Sequence, residues 1–363
     1  MSDHIIVPRL AALGWSSSRA RTFAALFADE LRPARVLAHH RDRYVVGTAE
    51  RDCSAVPLGR SRFHARTALE IPAVGDWVAV RQRDVDLAVI VALLPRSSAF
   101  VRQSAGETSA PQVLAANIEL ALIATAVVGN LNPRRLERYI VLAWESGATP
   151  VVLLTKTDLA SLQELAGARA ITSSVAPSVH VIAISTHTGE GVEELTGLLA
   201  PGLTAAILGS SGVGKSTLVN VLLGEVHLRT QEVRDDGKGR HTTTHRELVR
   251  LASGALLIDT PGMRELQLWS DGSGVAATFS DIEALAERCR FRDCAHELEP
   301  DCAVRSAVES GALEAARLDS YFALRREAAW LARRTDVLAS AEAKRQVRVI
   351  HRAQNVITKK GEK

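Results

Sequence analysis

The sequence lacks both a long apolar run and an export signal. Its most apolar run, Leu120–Val128, is far shorter than the roughly 18 residues that cross a bilayer. The start of the chain, Met1–Val7, has no basic stretch followed by an apolar core, which a secretory signal would carry. We therefore expect a soluble, cytoplasmic protein without a membrane partner.

A strong net charge is also lacking. The formal net charge is +3, but residues 32–102 hold twelve arginines against seven acidic residues, and the tail 344–363 is basic. Such regions are either solvated surface or contacts for an anionic partner such as nucleic acid. An apolar fraction of 47% and a charged fraction of 23% exclude wholesale disorder. The length allows two or three domains.

Cysteine is scarce, and in a chain without an export signal, close cysteines with a nearby histidine favour a metal site over a disulfide framework. Three of the four cysteines fall within fourteen residues, with a histidine between them. Three thiolates and one imidazole are a complete tetrahedral set for one structural Zn²⁺, with no position left open for catalysis. The alternative is a group of unrelated buried cysteines beside a surface histidine. The fourth cysteine, Cys53, is interpreted as a barrel residue. The candidate zinc ligands are Cys289, Cys294, His296 and Cys302.

The first part of the chain predicts a small barrel. Residues 1–30 contain a helical appendage, with Phe23, Leu26 and Phe27 on one face. Between 31 and 104, short alternating stretches broken by proline and glycine predict an all-β barrel, and 105–112 is interpreted as a loop. The predicted barrel strands are Arg35–Ala38, Tyr44–Thr48, Asp76–Val80 and Leu87–Leu94.

The middle of the chain, 113–271, predicts a parallel sheet covered by helices, because β-type runs alternate with helical ones. Pro133–Ser146 has the pattern of a crossover helix, with Asn132 as its cap. From 272 to 363 we expect a third, mostly helical domain, with helices at Asp281–Arg288 and Ser306–Leu331. The predicted sheet strands are Ile118–Ala126, Val151–Leu154, His180–Ile184, Ala205–Leu208 and Leu256–Ile258.

Gly209–Ser216 matches the phosphate-loop pattern G-x-x-x-x-G-K-S between a predicted strand and a predicted helix. Its glycines allow backbone N–H groups to surround phosphates, Lys215 reaches β and γ oxygens, and Ser216 suits Mg²⁺. The alternative is a glycine-rich turn that binds nothing. The candidate phosphate-binding residues are Gly209, Ser210, Ser211, Gly212, Val213, Gly214, Lys215, Ser216 and Thr217.

Thr155–Asp158, T-K-T-D, follows a predicted strand and resembles the guanine-reading N-K-x-D motif. A carboxylate at Asp158 accepts hydrogen bonds from guanine N1–H and the exocyclic amine, a donor pair that adenine lacks. The alternative, for the tetrapeptide taken alone, is a solvent-exposed strand end. Ser185-Thr186-His187, at another strand end, resembles the short S-A-K motif, although two of the three residues differ. The candidate guanine-binding residues are Thr155, Lys156, Thr157, Asp158, Ser185 and Thr186.

Asp259–Gly262, D-T-P-G, resembles the D-x-x-G motif, in which Asp259 holds Mg²⁺ through water and the Gly262 amide contacts the γ-phosphate. The polar stretch Gly239–His245 before it is a candidate switch, one threonine of which closes onto Mg²⁺. The sequence leaves open which threonine does so, and Thr243 is the candidate.

Met263 follows D-T-P-G where many GTPases carry the water-orienting glutamine. A thioether does not orient water, so we assign this role to His241 in the candidate switch, with Lys215 as the second catalytic residue. The alternative is that His241 only packs or contacts a partner.

The guanine-reading motifs precede the phosphate loop, whereas ordinary GTPases place them after it, so the order is circularly permuted. In this order the motifs resemble the RsgA (YjeQ) family of ribosome small-subunit biogenesis GTPases. P-A-V-G-D-W-V at 72–78 resembles that family's OB-fold barrel, and the cysteine cluster resembles its zinc domain.

The resemblance implies a three-domain GTP hydrolase that acts in late maturation of the small ribosomal subunit. It would bind rRNA in the GTP state and leave on hydrolysis, using GTP/GDP, Mg²⁺ and one structural Zn²⁺. We expect a monomer with no DNA partner. Two other classes stay open: a GTP-gated RNA-binding module with incidental hydrolysis, and a P-loop ATPase or kinase in which T-K-T-D is accidental.

Overall fold

The computed structural model describes residues 7–27, 30–40, 43–58, 68–103, 111–224, 246–259 and 273–331. The chain forms two compact units, 1–267 and 268–363. Among the described residues, no helix has both the length and the apolar content needed to cross a membrane.

The first unit begins with two short helices and a five-stranded barrel. The barrel strands follow the order β1-β2-β3-β5-β4, and β4 pairs back onto β1 to close it. Only β3 and β5 run parallel, and the inward side chains, such as Val36, Val46, Cys53 and Val78, are buried. The predicted barrel is confirmed. The elements are α1 Pro8–Ala12, α2 Ser17–Leu26, β1 Arg32–His40, β2 Arg43–Gly47, β3 Asp52–Pro57, the 3-10 turn Ala68–Glu70, β4 Trp77–Asp84 and β5 Leu87–Leu93.

The N-terminal helices pack against the barrel. Phe23 and Phe27 border a cluster that includes Trp15 and Trp77, whereas Leu26, expected on the same buried face, is 55% exposed. The expectation for Leu26 is wrong, because Ala20 and Phe23 are the residues of α2 that pack against this cluster.

The rest of the first unit is an α/β layer, apart from β6 and β7, which form a separate two-stranded antiparallel sheet. Strands β10, β9, β8, β11 and β13 lie side by side and parallel, and β12 pairs antiparallel with β13. Asn132 caps α3 by accepting from the Arg135 amide, so the predicted crossover helix is confirmed. The elements are β6 Ala99–Gln103, β7 Pro111–Ala116, β8 Leu120–Ala126, α3 Pro133–Glu145, β9 Thr149–Thr155, the 3-10 turn Thr157–Leu159, α4 Leu162–Val175, β10 His180–Ile184, α5 Val192–Leu198, β11 Thr204–Leu208, α6 Lys215–Leu223, β12 Arg246–Arg250 and β13 Leu256–Asp259.

The barrel and the parallel sheet are one continuous hydrogen-bonded surface. Strand β12 pairs with β1, with Ala38 opposite Glu247 and His39 opposite Arg246. The eleven strands therefore form a single sheet that closes into a barrel at one end. Strand β12 was not predicted, because a five-residue strand with three charged side chains has no clear apolar alternation.

The side chain of Arg35 joins three parts of this unit. It is 1% exposed and donates to the carbonyls of Leu13, Gly75 and Asn117 and to Thr204 Oγ1. Burial lowers the pKa of Arg35 to about 9, which still leaves the guanidinium charged at neutral pH. One barrel side chain thus binds the N-terminal turn, the segment entering β8 and the start of β11.

The second unit is helical. Arg317 forms a two-pronged ion pair with Asp281 and lies over the Phe279 ring. The predicted helix Ser306–Leu331 is wrong in one respect, because it is interrupted at Gly311, where φ is 76°. A left-handed residue ends a helix. The elements are α7 Ser273–Thr278, α8 Ser280–Ala286 and α9 Ala303–Glu309, followed by helical residues 315–331.

Replacing Arg35 with methionine should destabilise the first unit, because buried carbonyls would lose their donors. Leaving such acceptors unpaired costs about 3 kcal/mol of the free energy of unfolding. Denaturant unfolding checks this, with Arg43→Met as the matched control, since Arg43 is an exposed arginine of the neighbouring strand. Equal unfolding midpoints for the two variants would contradict the joining role.

Candidate functional site

The phosphate loop lies where the sequence predicts it, between β11 and α6. Its glycines Gly209, Gly212 and Gly214 have φ of 141°, 77° and 91°, a region that side chains with a Cβ rarely adopt. A Cβ on Gly209 would lie 2.4 Å from the carbonyl oxygen of Ala124 in β8. The loop therefore needs glycine both for its turn and for its close contact with the neighbouring strand.

Lys215 lies at the start of α6 and folds back over the loop. Its Nζ donates to the carbonyl oxygens of Gly209 at 2.9 Å and Ser210 at 2.5 Å. Ser216 and Thr217 follow in the first helical turn and are exposed. The backbone N–H groups of a first helical turn have no partner within the helix, so this end of α6 is suited to bind an anion.

Thr155, the last residue of β9, connects the predicted guanine-reading loop to the phosphate loop. Its side chain is buried, and Oγ1 donates to the Val213 carbonyl at 2.7 Å. A threonine at this position thus fastens the two loops together, which gives the departure from the N-K-x-D pattern a structural role.

Asp158 is held by the second predicted guanine loop. Ser185, which is fully buried, donates from Oγ to Asp158 Oδ1 at 2.7 Å and accepts from the amides of His187 and Thr188. Lys156 adopts a left-handed conformation with φ 61°. The carboxylate of Asp158 is exposed while one of its oxygens is fixed. Thr157 is buried, and Thr186 follows Ser185 at the end of β10.

The predicted γ-phosphate side of the site is only partly described. Asp259 ends β13, next to the phosphate-loop strand β11. His241, Thr243, Gly262 and Met263 lie outside the described residues.

One residue near the phosphate loop, Asn130, was not predicted. Its Oδ1 accepts from Ser210 Oγ at 2.9 Å. The available signal was its position just past the carboxyl end of a parallel strand, where binding residues of such sheets collect.

The four predicted zinc ligands lie together in the second unit. Their ligand atoms are all within 4.8 Å of one another. His296 Nδ1 is 3.5 Å from Cys302 Sγ and 3.6 Å from Cys289 Sγ, and the two sulfurs are 3.9 Å apart. Ideal tetrahedral zinc separates sulfur from nitrogen by about 3.6 Å and sulfur from sulfur by about 3.8 Å. The cluster therefore fits a zinc ion.

The electrostatics of the cluster also suit a cation. Burial lowers the pKa of His296, which keeps its imidazole neutral and able to ligate. Desolvation and the neighbouring thiols raise the pKa of Cys294 to about 11, because adjacent thiolates repel one another. A divalent cation among the three sulfurs would remove that repulsion.

Glu299, also not predicted, shapes the loop between two of the ligands. Its carboxylate accepts from the backbone N–H groups of Ala295, Glu297 and Leu298, and the amides of this loop lower the pKa of Glu299 to about 2. The loop that presents His296 in its left-handed conformation, φ 65°, is thus held by one side chain.

Replacing Glu299 with alanine should weaken zinc binding about tenfold, because the loop carrying His296 loses its acceptor. Competition of the purified protein with a chromophoric chelator measures this. Glu297→Ala is the matched control, since Glu297 is an exposed carboxylate of the same loop. Equal zinc retention by the two variants would remove the role given to Glu299.

Comparison with known proteins agrees with this arrangement. A family profile described as RsgA GTPase matches residues 93–269. A protein named small ribosomal subunit biogenesis GTPase RsgA from Opitutus terrae is 45% identical, over 93% of this chain and 94% of its own length. Its namesake from Streptomyces coelicolor is 43% identical, over 95% of this chain and 93% of its own length.

Two solved structures have a similar fold. YjeQ from Thermotoga maritima superposes with a TM-score of 0.64 at 24% identity, covering 82% of this chain and 98% of that one. YloQ, described as a circularly permuted GTPase, has a TM-score of 0.62 at 23% identity, covering 84% of this chain and 96% of that one. The relatives from Opitutus terrae and Streptomyces coelicolor match more than nine-tenths of this chain, and the chain belongs to the RsgA GTPase family.

Proposed function

We propose that this GTP hydrolase acts in maturation of the small ribosomal subunit, binding rRNA in its GTP state and leaving on hydrolysis. The relatives that cover most of the chain carry that subunit in their names. The observation that carries the nucleotide part is the hydrogen bond from Thr155 to the Val213 carbonyl, which fastens a guanine-reading loop to a phosphate loop. We propose a cytoplasmic monomer that binds neither DNA nor a membrane.

The proposed nucleotide contacts divide between the two loops. Asp158 and the loops at 155–157 and 185–186 hold guanine, while Gly209–Thr217 surrounds the phosphates. Lys215 neutralises β and γ oxygens. Ser216 and Asp259 would hold Mg²⁺, which supplies charge neutralisation for the phosphates. Thr243 and Gly262 complete the γ-phosphate side, and His241 orients the attacking water.

We place the RNA contacts on two regions that flank the GTPase domain at 113–271. One is the barrel at 31–104, which follows the N-terminal segment 1–30. The other is the region 272–363, with its structural zinc. Exposed arginines on the barrel, such as Arg43, Arg81 and Arg83, suit a phosphate backbone. A barrel of this type binds oligonucleotides through one face.

Hydrolysis measured with small subunits, large subunits and neither tests the whole proposal. We expect small subunits alone to raise kcat by at least tenfold, because the partner orders the catalytic residues. Equal rates in the three mixtures would favour a GTP-gated binding module in which hydrolysis is incidental.

Replacing Asp158 with asparagine should shift the base preference from guanine towards xanthine. Two charge-assisted hydrogen bonds to guanine are lost, so the Kd for GDP should rise roughly 100-fold while xanthosine diphosphate binds better. Ser185 can still donate to the asparagine oxygen, so the loop keeps its shape. Competition titrations of both nucleotides measure the change, and an unaltered preference for GDP would refute the guanine assignment.

Replacing His241 with alanine should lower the subunit-stimulated rate by about 100-fold or more, as for loss of a group that orients the attacking water. The affinity for GDP should stay the same. His245→Ala is the matched control from the same stretch. If both variants keep the stimulated rate of the unaltered protein, another group orients the water.

A further inference from the structure

A chain of side-chain hydrogen bonds runs from the start of α3 to the phosphate loop. Asn130 Oδ1 accepts from Ser210 Oγ at 2.9 Å and from Arg135 Nη2 at 3.1 Å. The same Nη2 also donates to the backbone carbonyl of Asn130. Arg135 therefore fixes both the backbone and the side chain of the residue that holds Ser210.

The fold places Asn130 and Arg135 beside the phosphate loop. Strand β8 pairs with β11, with Ile123 opposite Leu208, so the loop after β8 emerges beside the phosphate loop. Asn132 caps α3 by accepting from the Arg135 amide at 3.0 Å. The backbone of Arg135 is thus anchored by the helix cap, and its side chain, half-buried, has little freedom to leave Asn130.

The other end of the chain reaches the lysine of the loop. Ser210 accepts at its backbone carbonyl from Lys215 Nζ, while its hydroxyl is held by Asn130. Ser210, through Asn130, therefore connects the Arg135 side chain to a carbonyl that positions the ammonium group of Lys215. Ser210 occupies a variable position of the G-x-x-x-x-G-K-S pattern, so the pattern itself does not require these contacts.

We propose that Asn130 and Arg135 are positioning residues for the β-phosphate, acting through Ser210. They hold the loop and Lys215 in place before nucleotide enters, which reduces the ordering cost of binding. The guanidinium also adds positive charge beside a site for an anion. This inference rests on the proposed function, in which Gly209–Thr217 binds the phosphates of GTP.

The contribution should depend on the phosphates of the ligand. Ser210→Ala, Asn130→Ala and Arg135→Met should each raise the Kd for GDP about three- to tenfold, the range for one lost hydrogen bond. The Kd for GMP, which lacks the β-phosphate, should not change. The double variant of Ser210 and Arg135 should lose no more than the larger single loss, because the residues act as one chain.

Displacement of a fluorescent GDP by GDP or GMP measures these constants. Arg134→Met is the matched control, since Arg134 is exposed one position earlier in the same helix, and it should bind like the unaltered protein. Ser210→Thr, which keeps a hydroxyl, should restore GDP affinity relative to Ser210→Ala. Thermal unfolding of each variant separates a binding effect from misfolding.

Two results would overturn the proposal. One is equal GDP affinity for the Arg134 and Arg135 variants, and the other is an equal loss for GMP and GDP. Lys215→Ala tests the underlying site separately. If Lys215→Ala leaves GDP binding intact, the proposed phosphate site itself is wrong. If that variant loses GDP binding while the Arg135 variant does not, only the positioning role is wrong.

Discussion

The shared carboxyl edge of the parallel strands is the constraint on which the nucleotide site depends. Strands β8, β9, β10 and β11 run in the same direction, so the loops that follow them emerge together. This places Asn130, Thr155, Ser185 and Gly209 at one edge although they come from distant parts of the sequence. The hydrogen bond between Thr155 and Val213 then fastens two of these loops, and the bond between Ser210 and Asn130 fastens a third.

The same constraint explains why the permuted order is tolerated. A parallel sheet places its loops by strand direction and strand order, and neither depends on where the chain begins. The half that carries the predicted guanine loops continues into the half that carries the predicted phosphate loop through residues 199–203, a short connection between α5 and β11. Gly202, with φ 79°, turns the chain there, and its N–H donates to the Gly254 carbonyl before β13. The permuted order thus requires one tight turn at Gly202 and leaves the carboxyl edge of the parallel strands unchanged.

The parts of the fold that depend on local pattern could be predicted from the sequence. The parallel strands, the capped helix α3, the phosphate loop and the cysteine cluster all have short, regular signals. Contacts between residues that are far apart in the sequence could not be predicted. Thr155 and Val213 are 58 positions apart, and nothing in T-K-T-D reveals that its threonine would hold the other loop. The cap that Glu299 forms over loop amides likewise depends on a backbone shape that spacing does not encode.

The count of charged residues was the least reliable predictor of an anionic partner. The arginine excess of residues 32–102 suggested an anionic partner, but the count includes side chains that serve the fold. Arg35 is buried among carbonyls, and Arg96 forms a two-pronged ion pair with the buried carboxylate of Asp76. A buried arginine and a surface arginine are identical in sequence, so the surface charge of the barrel is smaller than the count implies.

Arg35 has a second consequence, because it ties the barrel to the strand that carries the phosphate loop. Its guanidinium donates to Thr204 Oγ1 at the first residue of β11, and the last residue of that strand, Leu208, directly precedes Gly209. Strand β12 adds a second connection, since it pairs with β1 of the barrel on one side and with β13, which ends at Asp259, on the other. Hydrogen bonds therefore join the barrel both to the strand that precedes the phosphate loop and to the strand that ends at the predicted magnesium ligand.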